Sequence, residues 1–143
     1  MYNEALSLFE NSNIVIAAAA VADYKPVNKL LHKYKKESGT TKIELQKTKD
    51  ILADMGAAKK NQFLVGFALE TNNEIDNAKS KLLEKNLDLI VLNSLNDEGA
   101  GFESNTNKVT ILSKDNKMLR FELKSKHDVA NDIANLTLNE IDA

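Results

Sequence analysis

The 143-residue sequence contains no cysteine, no tryptophan, one proline and five glycines. Without cysteine there is no disulfide scaffold, no thiolate zinc site and no cysteine nucleophile, and the composition fits a reducing cytoplasm. Long apolar runs are missing as well. The longest, Ile14 to Ala22, covers nine residues, against the ~20 that a membrane-spanning helix needs. Met1 to Glu10 carries acidic residues and no basic cluster, which excludes a signal peptide. Charge of one sign is also lacking: 19 Lys+Arg stand against 21 Asp+Glu, a formal net charge of −2. The chain as a whole therefore has no electrostatic pull toward nucleic acid or an anionic membrane, and any anion it binds is held locally. The glycines, Gly39, Gly56, Gly66, Gly99 and Gly101, form neither a P-loop nor a G-x-G-x-x-G fingerprint. No serine sits in a G-x-S-x-G elbow, and His32 and His127 are too far apart in sequence to suggest a site.

What is present reads as a single folding domain, with 43% hydrophobic and 28% charged residues. Tyr2, Ala5, Leu6, Leu8 and Phe9 recur at near-helical spacing before the turn-forming Asn11-Ser12-Asn13. Ile14-Val15-Ile16 followed by four alanines predicts a central strand whose exit leaves room for a close approach. Pro26 ends regular structure, and the polar stretch to Gly39 reads as a long loop or arm. Alternation from Thr40 to Gln46 predicts a half-buried strand, and Thr48 or Asp50 can cap a helix bearing Ile51, Leu52, Met55 and Ala58 on one face. Phe63 to Leu69 and Leu87 to Leu92 are apolar strands. Between them a helix from Glu74 to Glu84 carries Ile75, Ala78, Leu82 and Leu83 as its buried stripe. Val109–Leu112 and Leu119–Leu123, with Asp115-Asn116 at the turn, read as a hairpin, and a helix from Lys126 to Ile141 closes the domain. Strands alternating with helices specify an α/β fold: a Rossmann-like three-layer sandwich with a mostly parallel sheet, a C-terminal β-hairpin and a helix.

In such sheets ligands bind beyond the carboxyl ends of the strands. Three segments lie there: Ala17 to Pro26, Gly66 to Asn73, and Leu92-Asn93 with the loop beyond. Asp23 and Glu70 sit at strand ends, where a carboxylate can meet a metal ion or a ribose, cap a helix or pair with a lysine. Lys33-Tyr34-Lys35-Lys36 is a basic cluster suited either to a phosphate chain or to plain solvation. Lys81 and Lys85, four residues apart, share a helix face, whereas Lys79 and Lys81 do not.

Four ordered segments, Ala18-Ala-Ala-Val-Ala-Asp-Tyr24, Lys33-x-Lys35-Lys36, Gly66-Phe-Ala-x-Glu-Thr71 and Lys85-Asn-Leu-Asp-Leu-Ile-Val-x-Asn93, resemble bacterial phosphopantothenoylcysteine synthetase. This coenzyme A biosynthesis ligase is often fused behind a flavin-dependent decarboxylase. The resemblance implies a CTP-dependent reaction: 4′-phosphopantothenate is activated as an acyl-cytidylate with loss of pyrophosphate, and the amine of L-cysteine then displaces CMP. It implies that Lys33 is the catalytic lysine of the activation step. It places Ala17, Ala18, Ala19, Asp23, Lys33, Lys49, Asp50, Ile51, Leu52, Phe67, Lys81 and Lys85 at the nucleotide-binding positions. Magnesium is implied with the triphosphate and its ligands are not identified; Glu70 receives no role. A cytoplasmic homodimer is implied, with the long arm at the interface and neither nucleic acid nor membrane as partner.

The family's glycine-rich strand-loop-helix and its Asn-x-Ser-Ser-Gly segment do not occur in these 143 residues. The expectation is that residues 1–143 correspond to the C-terminal two thirds of the synthetase domain and do not complete the reaction alone. The alternative is a non-catalytic α/β module that binds a nucleotide or a partner.

Overall fold

In the computed structural model, which describes residues 1–28, 32, 39–94 and 104–142, the apolar stretches become the strands that the core is built on. The elements run α1 (Tyr2–Phe9), β1 (Ile14–Ala17), β2 (Tyr24–Pro26), β3 (Leu45–Lys47), α2 (Ile51–Ala58), β4 (Phe63–Glu70) and α3 (Glu74–Glu84). They continue with β5 (Leu89–Ser94), β6 (Thr106–Asn107), β7 (Val109–Ser113), β8 (Met118–Arg120), β9 (Lys124–Ser125) and α4 (Lys126–Ile141). Two compact units result: Met1–Ala18 with Ile51–Ala143, and Ala19–Asp50.

The larger unit holds a five-stranded sheet in the order β1-β4-β5-β7-β8. β1, β4 and β5 are mutually parallel, β7 runs antiparallel to β5, and β8 turns back again, so four of these five strands share one direction. β6 and β9 form a separate antiparallel pair. Because successive strand residues face opposite ways, each central strand feeds two cores. Leu64 and Ala68 of β4, Ile90 and Leu92 of β5 and Leu112 of β7 pack with Phe9, Met55, Ala78 and Leu82 from α1, α2 and α3. Val65, Leu89, Val91, Val109 and Ile111 point the other way, onto Val129 and Ile133 of α4. Helices, sheet and helix form the three layers that the element order predicts. Leu64 and Val91 are completely buried, each stabilising the fold by about 2 kcal/mol.

Several local expectations are corrected. Leu83 is 72% exposed: Ile75, Ala78 and Leu82 fill the inward stripe of α3, and the residue next to Leu82 is turned about 100° away from it. Ala58 is exposed at the end of α2, and β5 starts at Leu89, although Leu87 and Asp88 are buried. β8 covers Met118–Arg120 rather than Leu119–Leu123. The hairpin turn does fall at Asn116, whose φ of 62° is left-handed, a conformation that asparagine tolerates well. Gly56 permits the approach of α2 to the end of α3, since a Cβ there would lie 1.9 Å from the Lys85 carbonyl oxygen.

In the smaller unit β2 and β3 pair antiparallel, with Tyr24 opposite Lys47 and Pro26 opposite Leu45. Pro26 therefore lies within a strand, as proline can where no ladder bond needs its missing N–H. The strand expected over Thr40 to Gln46 is shortened to Leu45–Lys47 and fully exposed. Thr48 fastens the pair, donating from its hydroxyl to the Ala22 carbonyl at 2.7 Å and from its N–H to the Asp23 carbonyl at 2.8 Å. Among the described residues, no helix is long and apolar enough to cross a membrane.

At the amino end of the larger sheet, Asp88 is 4% exposed. Its Oδ2 accepts from Lys59 Nζ at 2.6 Å and from the Leu64 N–H at 2.8 Å, and its Oδ1 accepts from Lys114 Nζ at 2.8 Å. Burial works to raise the pKa of this carboxyl, but the hydrogen bonds from Lys114, Lys59 and Leu64 outweigh it and hold the group below the ordinary aspartate value of 3.8. A depressed native pKa stabilises the fold above the unfolded value, and that contribution is lost as pH falls below about 4. Asp88→Asn is expected to cost about 2–3 kcal/mol at pH 7, because two ammonium groups lose their anion. Urea unfolding at pH 7 and pH 3 checks this: the gap between the variant and the parent chain narrows at the lower pH.

Candidate functional site at the carboxyl ends of the strands

β1 stops at Ala17, level with Gly66, whereas β4 continues through Phe67 to Glu70. Among the described residues, the last stretch of β4 has no strand neighbour on the β1 side, which leaves a step at the carboxyl end of the sheet. Gly66 lies at this step and is closely packed; a Cβ on it would meet Leu87 Cδ1 at 2.7 Å and Leu52 Cδ2 at 2.9 Å. On its other side β4 is paired to the end, Glu70 lying opposite Ser94 of β5.

One face of α3 lines this end with polar groups. Lys81 Nζ lies 2.5 Å from Glu70 Oε1, and Asn77 Nδ2 donates to Glu70 Oε2 at 3.1 Å and to the Asn72 carbonyl at 2.9 Å. At the start of the same helix, Glu74 Oε1 accepts from the hydroxyl of Ser94, the last residue of β5, at 2.5 Å. Asn77 and Lys81 are four residues apart and Glu74 three before Asn77, so helical geometry puts all three on one side. The Glu70 side chain is 13% exposed and that of Lys81 43%: the carboxylate is the fixed partner, and the ammonium faces outward. On the opposite side of the sheet Asn93 Oδ1 accepts from Asn107 Nδ2 at 3.3 Å.

A family model described as the DNA/pantothenate metabolism flavoprotein C-terminal domain matches residues 1–140. The chain belongs to this family. The Cysteine/Cysteine sulfinic acid decarboxylase of an unknown prokaryotic organism is 53% identical over 134 residues, covering 93% of this chain and 37% of that protein. The Coenzyme A biosynthesis bifunctional protein CoaBC of Bacillus subtilis (strain 168) is 47% identical over 133 residues, covering 93% of this chain and 33% of its own. The crystal structure of a CoaBC C-terminal domain superposes with a TM-score of 0.77 at 33% identity, over 99% of this chain and 62% of that one. The chain thus spans about a third of the length of these two curated relatives. Its likeness to the CoaBC C-terminal domain agrees with the family resemblance carried by the four sequence motifs.

Within the larger unit of this family member, the residues singled out from sequence separate into distinct settings. Ala17 pairs with Gly66 at the step, and Phe67 is the next residue along β4, facing the other side of the sheet. Phe67 packs on the α4 side, whereas Lys81 stands on α3 on the other side of the sheet. Ala18 continues from the strand end, exposed, its N–H donating to the Ile16 carbonyl at 3.2 Å. Ile51 and Leu52 open α2 with their side chains against the first core, so what they offer a ligand is backbone N–H at a helix N-terminus. Lys85 caps the other end of α3, near Gly56 and the amino end of the sheet. Ala19, Asp23, Lys49 and Asp50 belong to the smaller unit and are exposed. Lys33, Lys35 and Lys36 lie outside the described residues.

Sequence reasoning missed Asn77 and the pairing of Glu74 with Ser94. The signal for Asn77 lies in its four-residue spacing from Lys81, which puts an amide on the same helix face as the ammonium. For a divalent cation, no cluster of three or more His, Asp or Glu occurs among the described residues. That donor set does not make an all-protein cage, and no residue of the chain is assigned to magnesium.

Proposed function

We propose that the chain carries the nucleotide-handling part of a CTP-dependent phosphopantothenate–cysteine ligase. The observation that supports this most directly is an outward-facing lysine, Lys81, held by Glu70 at the carboxyl end of the sheet in a family member with the four synthetase motifs. A carboxylate is a poor acyl donor until one of its oxygens becomes a good leaving group. In the proposed reaction an oxygen of the 4′-phosphopantothenate carboxylate forms a bond to the α-phosphorus of CTP, and the bond from that phosphorus to pyrophosphate breaks. The amine of L-cysteine then attacks the acyl carbon, the bond to CMP breaks, and the amine loses a proton as the amide forms.

Positioning and charge neutralisation do most of this work. Lys33 neutralises charge that develops on the phosphates and the acyl-cytidylate, Lys81 holds the triphosphate, and Lys85, one helical turn further from the carboxyl end, reaches toward it with its long side chain. Ala17 to Ala19 leave space at the strand end, Phe67 packs beside it, and the N-terminus of α2 at Ile51 and Leu52 offers N–H donors. Asp23, Lys49 and Asp50 of the smaller unit are nucleotide contacts in the same reading. Magnesium would enter with the triphosphate, bound through its phosphate oxygens and water, and would offset phosphate charge. The decarboxylase name belongs to a relative of which the chain spans 37%; the lysine and alanine motifs support the ligase reading.

The glycine-rich and Asn-x-Ser-Ser-Gly segments that bind phosphate in this reading are absent from the 143 residues. The chain alone is therefore expected to form no phosphopantothenoylcysteine. Joined to the preceding segment of the Bacillus subtilis relative and supplied with 4′-phosphopantothenate, it is expected to release pyrophosphate from CTP. Lys33→Gln in that fusion then lowers the release by about 100-fold with unchanged folding; retained release would remove Lys33 from its role.

We also propose that the protein acts as a cytoplasmic homodimer through the arm. Tyr24, Val27, Ile43 and Leu45 of the smaller unit are all exposed apolar residues, a concentration that favours pairing with a second copy. Sedimentation equilibrium is expected to give a dimer that Ile43→Asp with Leu45→Asp converts to a monomer; a monomeric parent chain contradicts this.

A further inference from the structure

We propose that Glu70 is a positioning residue for the nucleotide, acting through Lys81. This rests on the reading that Lys81 holds the triphosphate. A carboxylate beside an anion site is at first sight a liability, since it repels the phosphates that the site must attract. Here, however, Glu70 has each oxygen occupied: Oε1 by Lys81 Nζ at 2.5 Å and Oε2 by Asn77 Nδ2 at 3.1 Å. It ends a strand that is hydrogen-bonded to β5 at the same level, so its backbone is fixed.

A free lysine samples many rotamers and loses that freedom when it grips a phosphate. Glu70 removes the freedom in advance. An ammonium group has three donors, and Glu70 is the single ion-pair partner of Lys81 among the described residues. With the Lys81 side chain 43% exposed, its other donors are open to a ligand in this reading. Asn77 completes the device by steadying the second oxygen, which keeps the carboxylate from swinging away with the lysine.

The sign of the effect separates positioning from bare electrostatics. Glu70→Gln removes a negative charge, and if charge alone mattered, a triphosphate would bind more tightly. Positioning predicts weaker binding. Calorimetric titration of the chain with Mg-CTP, on the parent, Glu70→Gln, Lys81→Met and the double variant, forms the required cycle. Lys81→Met is expected to weaken affinity about tenfold and Glu70→Gln about fivefold, while in the Lys81→Met background Glu70→Gln has no weakening effect. Asn77→Ala, which alters no charge at an exposed position, is expected to weaken affinity about twofold, and thermal unfolding of each variant checks that the fold survives. A parent chain that does not bind, or an unchanged affinity on Lys81→Met, overturns the nucleotide reading and the Glu70 proposal with it. A Lys81→Met loss accompanied by unchanged or tighter binding in Glu70→Gln, or by additive effects, overturns the positioning role alone. If Glu70→Gln does not fold, Asn77→Ala decides: undiminished affinity overturns the proposal.

Discussion

The arrangement depends on a buried carboxylate at the end of the sheet remote from the site. Asp88 joins the residue after α2, the start of β4, the start of β5 and the beginning of the β7–β8 hairpin turn, through Lys59, the Leu64 N–H and Lys114. Its own backbone is part of the same junction, its N–H donating to the Leu64 carbonyl at 2.9 Å and its carbonyl accepting from the Lys114 N–H at 3.1 Å. Such a node fixes the β4–β5 register at one end. Since a shift of one residue would turn every side chain to the opposite face, the register at Leu64 and Asp88 carries along both strands and brings Glu70 opposite Ser94. The polar face of α3 is then presented at the carboxyl end.

Lysine serves two purposes in this framework. Lys59 is largely buried and bound to Asp88, where its charge balances one anion. Lys81 is paired with the better buried Glu70 while its own side chain stays partly exposed. The same chemical group is therefore structural at one end of the sheet and, in the proposed reading, poised for an anion at the other. Neither pair is detectable in a net charge of −2, which is why local pairing matters here more than the overall balance.

Much of the architecture was legible in the sequence. The bounds of α1, α3 and α4 follow from apolar periodicity and turn residues, and the parallel β1-β4-β5 core follows from short apolar strands alternating with helices. Legibility failed where burial, rather than pattern, decides. Leu83 adjoins the inward stripe of α3 without belonging to it, and the alternating residues from Thr40 to Gln46 lie in a unit whose described strands, β2 and β3, are exposed throughout. The site was half legible: Lys81 and Glu70 were visible as residues, but their pairing, and the place of Asn77 in it, depends on how far β4 runs past β1. Asp88 stood inside a recognised motif, yet its partners are distant in sequence, at Lys59 and Lys114, and only packing joins them.

The central claim is that this chain offers a cytidine nucleotide a prepared site. Calorimetric titration with CTP, ATP and GTP in magnesium tests it most directly. The account predicts binding of CTP in clear preference to the two purine nucleotides. Equal binding of all three, or binding of none, would contradict it.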